Sequence, residues 1–196
     1  MIVLALDTAL DACSVAVVRG GEVLAHLTEP MTRGQAERLA PMVREAVQAA
    51  GLRVGALQRI AVTTGPGSFT GVRVGLSFAR TLAGALRTPC IGVSTLEALA
   101  LGEGEAGLRA ALIETPGAAY FALYEDGAPL IAPRAIAHGE HAALLAAGTN
   151  GRNCLLTGPG ATTDAVTLAR RAASLEPEAY RPSPLYLRAP HVTLPA

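Results

Sequence analysis

The stretch from Ile60 to Leu86, IAVTTGPGSFTGVRVGLSFARTLAGAL, leaves this chain few options. It opens on an apolar, β-branched run over Ile60–Thr64, which reads as a buried strand. Gly65, Pro66 and Gly67 cannot continue that strand and suit a tight turn. Ser68 or Thr70 then supplies a cap for a helix that runs to about Leu86. One strand, one Gly-Pro-Gly turn and one long helix therefore follow in direct succession.

The helix has an unusual surface. Gly71, Gly75 and Ala79 recur every four residues, so three positions with little or no side chain share one stripe. Each interior glycine costs roughly 1 kcal/mol against alanine, a loss best carried where another backbone comes close. Val72, Leu76 and Ala83 make a second smooth stripe, and the bulkier Val74, Phe78 and Leu82 are expected to face the core. So much apolar circumference predicts a helix buried on more than one side, against a second helix of the chain or a partner protein.

At 196 residues the chain can build one sizeable core or two small ones. Its hydrophobic fraction of 51% and mean hydropathy of +0.36 are high, yet no apolar run is long enough to span a bilayer. The start runs straight into an apolar segment containing Asp7, without a basic leader, which predicts a cytoplasmic globular protein with no membrane role. Cys13, Cys90 and Cys154 are widely spaced among apolar residues, the pattern of reduced, buried thiols. All sixteen basic residues are Arg, which removes Walker-type phosphate binding and Schiff-base chemistry. A formal net charge of +0 argues against a chain that holds nucleic acid alone.

Along the chain, strands are expected over Ile2–Leu6, Cys13–Val18 and Val23–Thr28, the last two joined by a hairpin turn at Arg19–Glu22. Leu39, Met42, Val43, Ala46, Val47 and Ala50 give a helical period from about Gln35, stopped at Gly51, with a kink or loose turn at Pro41. A strand over Cys90–Val93 and a short helix to about Leu101 follow. The Gly-rich break from Leu101 to Gly107 predicts a boundary between an N-terminal lobe, 1–102, and a smaller lobe, 103–196. The second lobe reads as strands near Ala110–Ile113, Tyr120–Tyr124 and Leu130–Ala132, a helix over Gly139–Ala147, and a strand over Cys154–Thr157. Gly158-Pro159-Gly160 and a helix over Thr163–Ala173 then repeat the opening design. The proline-rich tail is expected to pack Leu185, Tyr186 and Leu187 back onto the body.

The residues that carry chemistry give bland readings. His138 and His141 stand i, i+3 with Glu140 between them but have no third ligand, so no metal site is expected. Ser68 lies in GPGSF and not in GxSxG, which makes it a cap and not a nucleophile. Gly65, Pro66, Gly67 and Ser68 form the motif turn, in which Pro66 removes one of the donors an anion would use. Arg73 and Arg80 read as surface or interface arginines. The first turn, Asp7-Thr8-Ala9-Leu10-Asp11-Ala12, sits where actin-like ATPases cradle phosphate. It has no glycine, and Asp7 and Thr8 are only weak cofactor candidates.

GPGSFTGVRVGLSFARTLAG, with MIVLALDTALDACSVAVV, AERLAPM and PLYLR, carries a specific resemblance, close over residues 1 to about 101. The chain is similar to the YeaZ-type (TsaB) family of bacterial threonylcarbamoyladenosine biosynthesis proteins. That resemblance implies an α/β, actin-like, two-lobed fold related to sugar kinases and heat-shock ATPases. It implies a catalytically silent subunit that binds TsaD in modifying the adenosine beside the anticodon of tRNAs reading codons that begin with A. The HxxxH metal ligands of TsaD correspond here to Thr95 and Leu99, so metal and ATP would belong to partner subunits. A TsaE-like ATPase, indirect contact with tRNA, and a homodimer of the free chain are also implied. Where the family often has His before the AERL-type segment, this chain has Gln35, and where an Asp-Ala-Arg-Arg-like stretch is usual it has Glu114-Thr115-Pro116-Gly117.

The implied partner surface is a pair of helices, with Leu39, Met42, Val43 and Ala46 beside Gly71, Val72, Arg73, Gly75, Leu76, Ala79, Arg80 and Ala83. On this reading Leu76→Glu or Gly75→Leu leaves the chain folded and abolishes TsaD binding. The alternatives are a metallopeptidase-like glycoprotease or small-molecule kinase of the same fold, and a homodimeric binding module without a tRNA role.

Overall fold

The computed structural model describes residues 1–102 and 104–187. Strands β1 (Ile2–Asp7), β2 (Ala12–Arg19) and β3 (Glu22–Pro30) form an antiparallel meander. Helix α1 (Gln35–Ala49) and a single 3₁₀ turn at Val54–Ala56 lead to β4 (Arg59–Thr63), which lies parallel to β1. Helix α2 (Phe69–Leu86) then connects to β5 (Cys90–Val93), parallel to β4. The first sheet therefore has the order β3-β2-β1-β4-β5.

After helix α3 (Thr95–Ala100) the chain enters a second sheet of β6 (Leu108–Thr115), β7 (Ala118–Glu125), β8 (Ala128–Ile136) and β9 (Cys154–Thr157), in the order β8-β7-β6-β9. Helix α4 (His141–Thr149) precedes β9, and α5 (Ala165–Ala173) follows it. Strand alternation sorts the first sheet's core into two faces. Leu4, Leu6, Val15, Val17, Ile60 and Val62 pack under α1 and α2, while Val3, Ala5, Ala16 and Ala61 pack under α5. Helix α5 thus returns from beyond residue 102 to close the far face of the first sheet. In the second sheet Ala111, Ile113 and Ala122 meet α3, and Phe121 and Leu123 meet α4. This is the mixed-sheet, helix-covered α/β architecture of the actin-like fold.

The expected strands and helices are present with ends moved by a few residues, and β8 is longer than Leu130–Ala132 suggested. Pro41, where a kink or loose turn is expected, lies inside an unbroken α1 whose buried face is Leu39, Met42, Val43, Ala46 and Val47. That face holds the turn on the sheet despite the N–H that Pro41 lacks. Pro116-Gly117 forms the two-residue connection of the β6–β7 hairpin. The tail runs beside β5: the Gly92 N–H donates to the Tyr180 carbonyl at 2.8 Å, and the Leu185 N–H to the Thr64 carbonyl at 2.9 Å. Arg188, Pro190 and Pro195 lie outside the described residues.

Helix α2 faces the core with the stripes expected to be smooth for a partner, and this reverses the expected orientation. A Cβ at Gly71 would collide with the Thr8 carbonyl oxygen, and one at Gly75 would stand 2.7 Å from Thr8 Oγ1. The close approach that the two glycines allow is to the end of β1 in the same chain. Val74, Phe78 and Leu82 are instead half-buried along the flank of the same core.

Candidate functional site

The motif turn clasps the end of β1. The Ser68 N–H donates to the Ala9 carbonyl at 2.7 Å, the Thr8 hydroxyl donates to the Gly71 carbonyl at 2.7 Å, and Ser68 Oγ accepts from the Gly71 N–H at 3.2 Å. Ser68 is therefore the helix cap. Gly65 has φ 96°, and Gly67 passes so close to Ala9 that a side chain would strike its carbonyl.

Asp7 is fully buried behind this clasp. Its Oδ1 accepts from the Thr63 hydroxyl and, at 3.2 Å, from the Ala9 N–H, while Oδ2 has no partner among the described residues. Burial pushes its pKa up to about 6, with the two hydrogen bonds pulling the other way. Thr8, also buried, spends its hydroxyl on Gly71. Both weak cofactor candidates are thus engaged inside the fold.

A cleft of about 310 Å³ lies between the two sheets, lined by Leu10, Asp11, Gly67 and Ser68 on one side and Ile113, Glu114, Pro116, Gly158 and Gly160 on the other. The two Gly-Pro-Gly turns converge here. The lining does not fit a nucleotide phosphate. Among the described residues it contains two carboxylates and no cation, and the prolines of the turns carry no N–H. Glu114 instead faces His138, whose Nδ1 is 3.7 Å away. His138 lies in the connection before α4 and His141 is its first residue; among the described residues no three His, Cys, Asp or Glu side chains gather as ligands. Thr95 and Leu99 are buried in α3. Cys13 is buried, and burial pushes its thiol up to about 11; the half-buried Cys90 is raised to the same value, so neither is an activated thiolate.

The residues expected to form a partner surface divide sharply. Leu39, Met42, Val43, Ala46, Gly71, Val72, Gly75, Leu76, Ala79 and Ala83 are all buried in the chain's own core. The outer faces belong to their neighbours: Ala40, Arg44 and Gln48 on α1, and Thr70, Ser77 and Thr81 on α2, with Val74, Phe78 and Leu82 half-open beside α2's crest. Helical periodicity locates such stripes but does not say which one meets the sheet. Arg38 is held by Glu29 and Glu45 on the flank of α1. Arg80 is exposed. Arg73 turns toward the tail, with its guanidinium 3.5 Å from the centroid of the Phe69 ring and Nη2 donating to the Tyr186 hydroxyl at 3.1 Å. Sequence reasoning returned Tyr186 to the body but missed Phe69; an aromatic residue i−4 from an Arg in a helical first turn was the available signal. Among the described residues no helix is long and apolar enough to cross a membrane.

Comparison with known proteins fits this geometry. The model of the family described as TsaD, tRNA N6-adenosine threonylcarbamoyltransferase, matches residues 22–121. A protein of Escherichia coli strain K12 named tRNA threonylcarbamoyladenosine biosynthesis protein TsaB is 40% identical over 129 residues, covering 64% of this chain and 55% of that protein. A protein of the same name from Haemophilus influenzae is 43% identical over 97 residues, covering 50% of this chain and 41% of its own. The chain spans about half the length of these curated relatives. A solved structure from Pseudomonas aeruginosa, described as an uncharacterized protein with similarity to peptidase YEAZ, superposes with a TM-score of 0.76 at 30% identity, covering 95% of this chain and 99% of that one. The chain belongs to the family that the TsaD model describes, and within it to the TsaB/YeaZ type.

Proposed function

We propose that this chain is a non-catalytic partner subunit in tRNA threonylcarbamoyladenosine biosynthesis, and that it docks a TsaD-like subunit with the outer faces of α1 and α2. The observation that carries this reading is the half-open apolar row Val74, Phe78 and Leu82 running beside α1, on a sheet whose opposite face α5 already covers. A row of this kind, rimmed by Ser77 and Thr81, has the anatomy of a protein interface. The names of the relatives supply the pathway. The poor fit of the interlobe cleft to a nucleotide supports a subunit that leaves ATP and metal chemistry to its partners. A TsaE-like ATPase joins the larger assembly, tRNA is contacted through the complex, and the same helical face pairs two copies when the partner is absent. The setting of this chemistry is the cytoplasm.

The test is co-elution with the TsaD-like subunit of the same organism in size-exclusion chromatography. Ser77→Arg and Thr81→Arg, both exposed on the outer side of α2 beside the apolar row, are expected to abolish co-elution while the chain's melting temperature stays within a few degrees. Undiminished co-elution of both variants overturns the docking surface. Leu76→Glu and Gly75→Leu no longer serve, because both positions are buried and the substitutions report on folding. Depletion of the protein is expected to lower threonylcarbamoyladenosine in tRNA, and an unchanged level overturns the pathway assignment. ATP turnover by the isolated chain overturns its non-catalytic role.

A further inference from the structure

A cavity of about 410 Å³ opens where the Gly65–Gly67 turn, the first turns of α2 and the tail at Pro184–Leu187 meet. It lies on the other side of the motif turn from the interlobe cleft, and its size is that of a small-ligand pocket. The chain has only three Phe and four Tyr, yet Phe69, Tyr120 and Tyr186 all line this one cavity. Phe69 and Tyr186 are 62% and 60% exposed, the most open of the large apolar side chains among the described residues. A chain this poor in aromatics that leaves two of them open side by side offers ring faces to something.

Arg73 sets the charge of that something. Among the described residues it is the one charged residue lining the cavity and no carboxylate lines it, and it is held by the Phe69 ring and the Tyr186 hydroxyl. Stacking fixes the plane of the guanidinium and leaves its positive charge unneutralised by the cavity. The matching ligand has a planar ring for the aromatic faces and a single anionic group for the guanidinium fork. A triphosphate would need further cations or a carboxylate-held metal ion, and the lining has neither among the described residues.

We propose that this cavity binds a nucleoside monophosphate, with the base stacked against Phe69 and Tyr186 and the phosphate on Arg73. This goes beyond the docking role and does not rest on it, because the cavity lies on the tail side of α2 and not on the α1 side.

The chain has no Trp, so its emission comes from Tyr, and Tyr120 and Tyr186 report on the cavity directly. The experiment titrates the full chain with AMP and follows Tyr fluorescence and calorimetric heat. Adenosine, ribose 5-phosphate and magnesium ATP are the comparison ligands. Saturable one-site binding of AMP is expected, with each comparison ligand weaker. Phe69→Ala is expected to weaken AMP by about tenfold, the loss of one base stack. Arg73→Gln is expected to weaken AMP by a similar factor and leave adenosine unchanged. Both side chains are exposed, so both variants are expected to keep the wild-type melting curve. No saturable AMP binding at about 1 mM overturns the proposal. Binding that survives both substitutions also overturns it, by placing the nucleotide elsewhere. Binding of a short single-stranded RNA without binding of AMP overturns it as well, and makes the aromatic pair a platform for RNA.

Discussion

Arg171 Nη2 lies 3.0 Å from Glu97 Oε1, and this ion pair ties α5, on the back of the first sheet, to α3, which packs on the second. The side chains are only 15% and 10% exposed, and the Tyr180 hydroxyl adds a 3.4 Å hydrogen bond to the same carboxylate oxygen. Removing the cation alone strands a buried carboxylate, which typically costs about 3 kcal/mol. Arg171→Leu is expected to lose that much in urea unfolding, and the double variant Glu97→Leu, Arg171→Leu to recover most of it. A double variant no more stable than the single one would show that the pair does not act as a unit.

Asp7 predicts a pH dependence with a definite sign. Its folded pKa, about 6, lies above the ordinary 3.8, so the folded chain binds the proton more tightly than the unfolded chain. The stability from protonated Asp7 is complete below about pH 4 and is lost as pH rises through 6. Asp7→Asn keeps an acceptor for Thr63 and Ala9, so it is expected to stabilise the chain by about 2 kcal/mol at pH 7.5 and hardly at all at pH 4. Parallel stability–pH curves for the two proteins would rule out Asp7 as the source.

Two glycines of α2 should respond in opposite directions. Gly71→Ala drives a methyl into the Thr8 carbonyl, a backbone atom with no room to give, and is expected to cost more than about 2 kcal/mol. Gly84 is exposed with nothing within 4 Å of its would-be Cβ, so Gly84→Ala is expected to gain up to about 1 kcal/mol. Thermal melts of the two variants decide this, and a shift in the same direction for both would contradict the packing.

Gly92 admits the tail. A Cβ there would lie 2.6 Å from both the Arg181 carbonyl and Thr64 Cγ2. Gly92→Val is expected to lift the tail and speed chymotryptic cleavage after Tyr180, whose carbonyl the Gly92 N–H holds, severalfold at 25 °C. Unchanged cleavage would mean that the tail is held by other contacts.

The element sequence was legible in the chain because its signals are local. Alternation and β-branched runs placed β1, β2 and β4, Arg19–Glu22 marked the hairpin, and Gly65-Pro66-Gly67 marked the stop before α2. The candidate site was legible only in outline. The repeat of small residues in α2 showed that something comes close to Gly71 and Gly75, but a helical period specifies the angle between stripes and not which stripe is inside. Thr8, 63 residues earlier in the chain, decides it: its hydroxyl bonds the Gly71 carbonyl, so the glycines must face β1 and Val74 and Phe78 are left on the flank. Tertiary structure likewise brought α5 back onto the first sheet, paired Arg171 with Glu97, and set Tyr186 beside Arg73 and Phe69. Local chemistry determined the order and kind of the strands, turns and helices, because its signals lie within a few residues of one another; contacts between residues far apart in the chain determined where the elements end, which faces are spent on the core and which stay open.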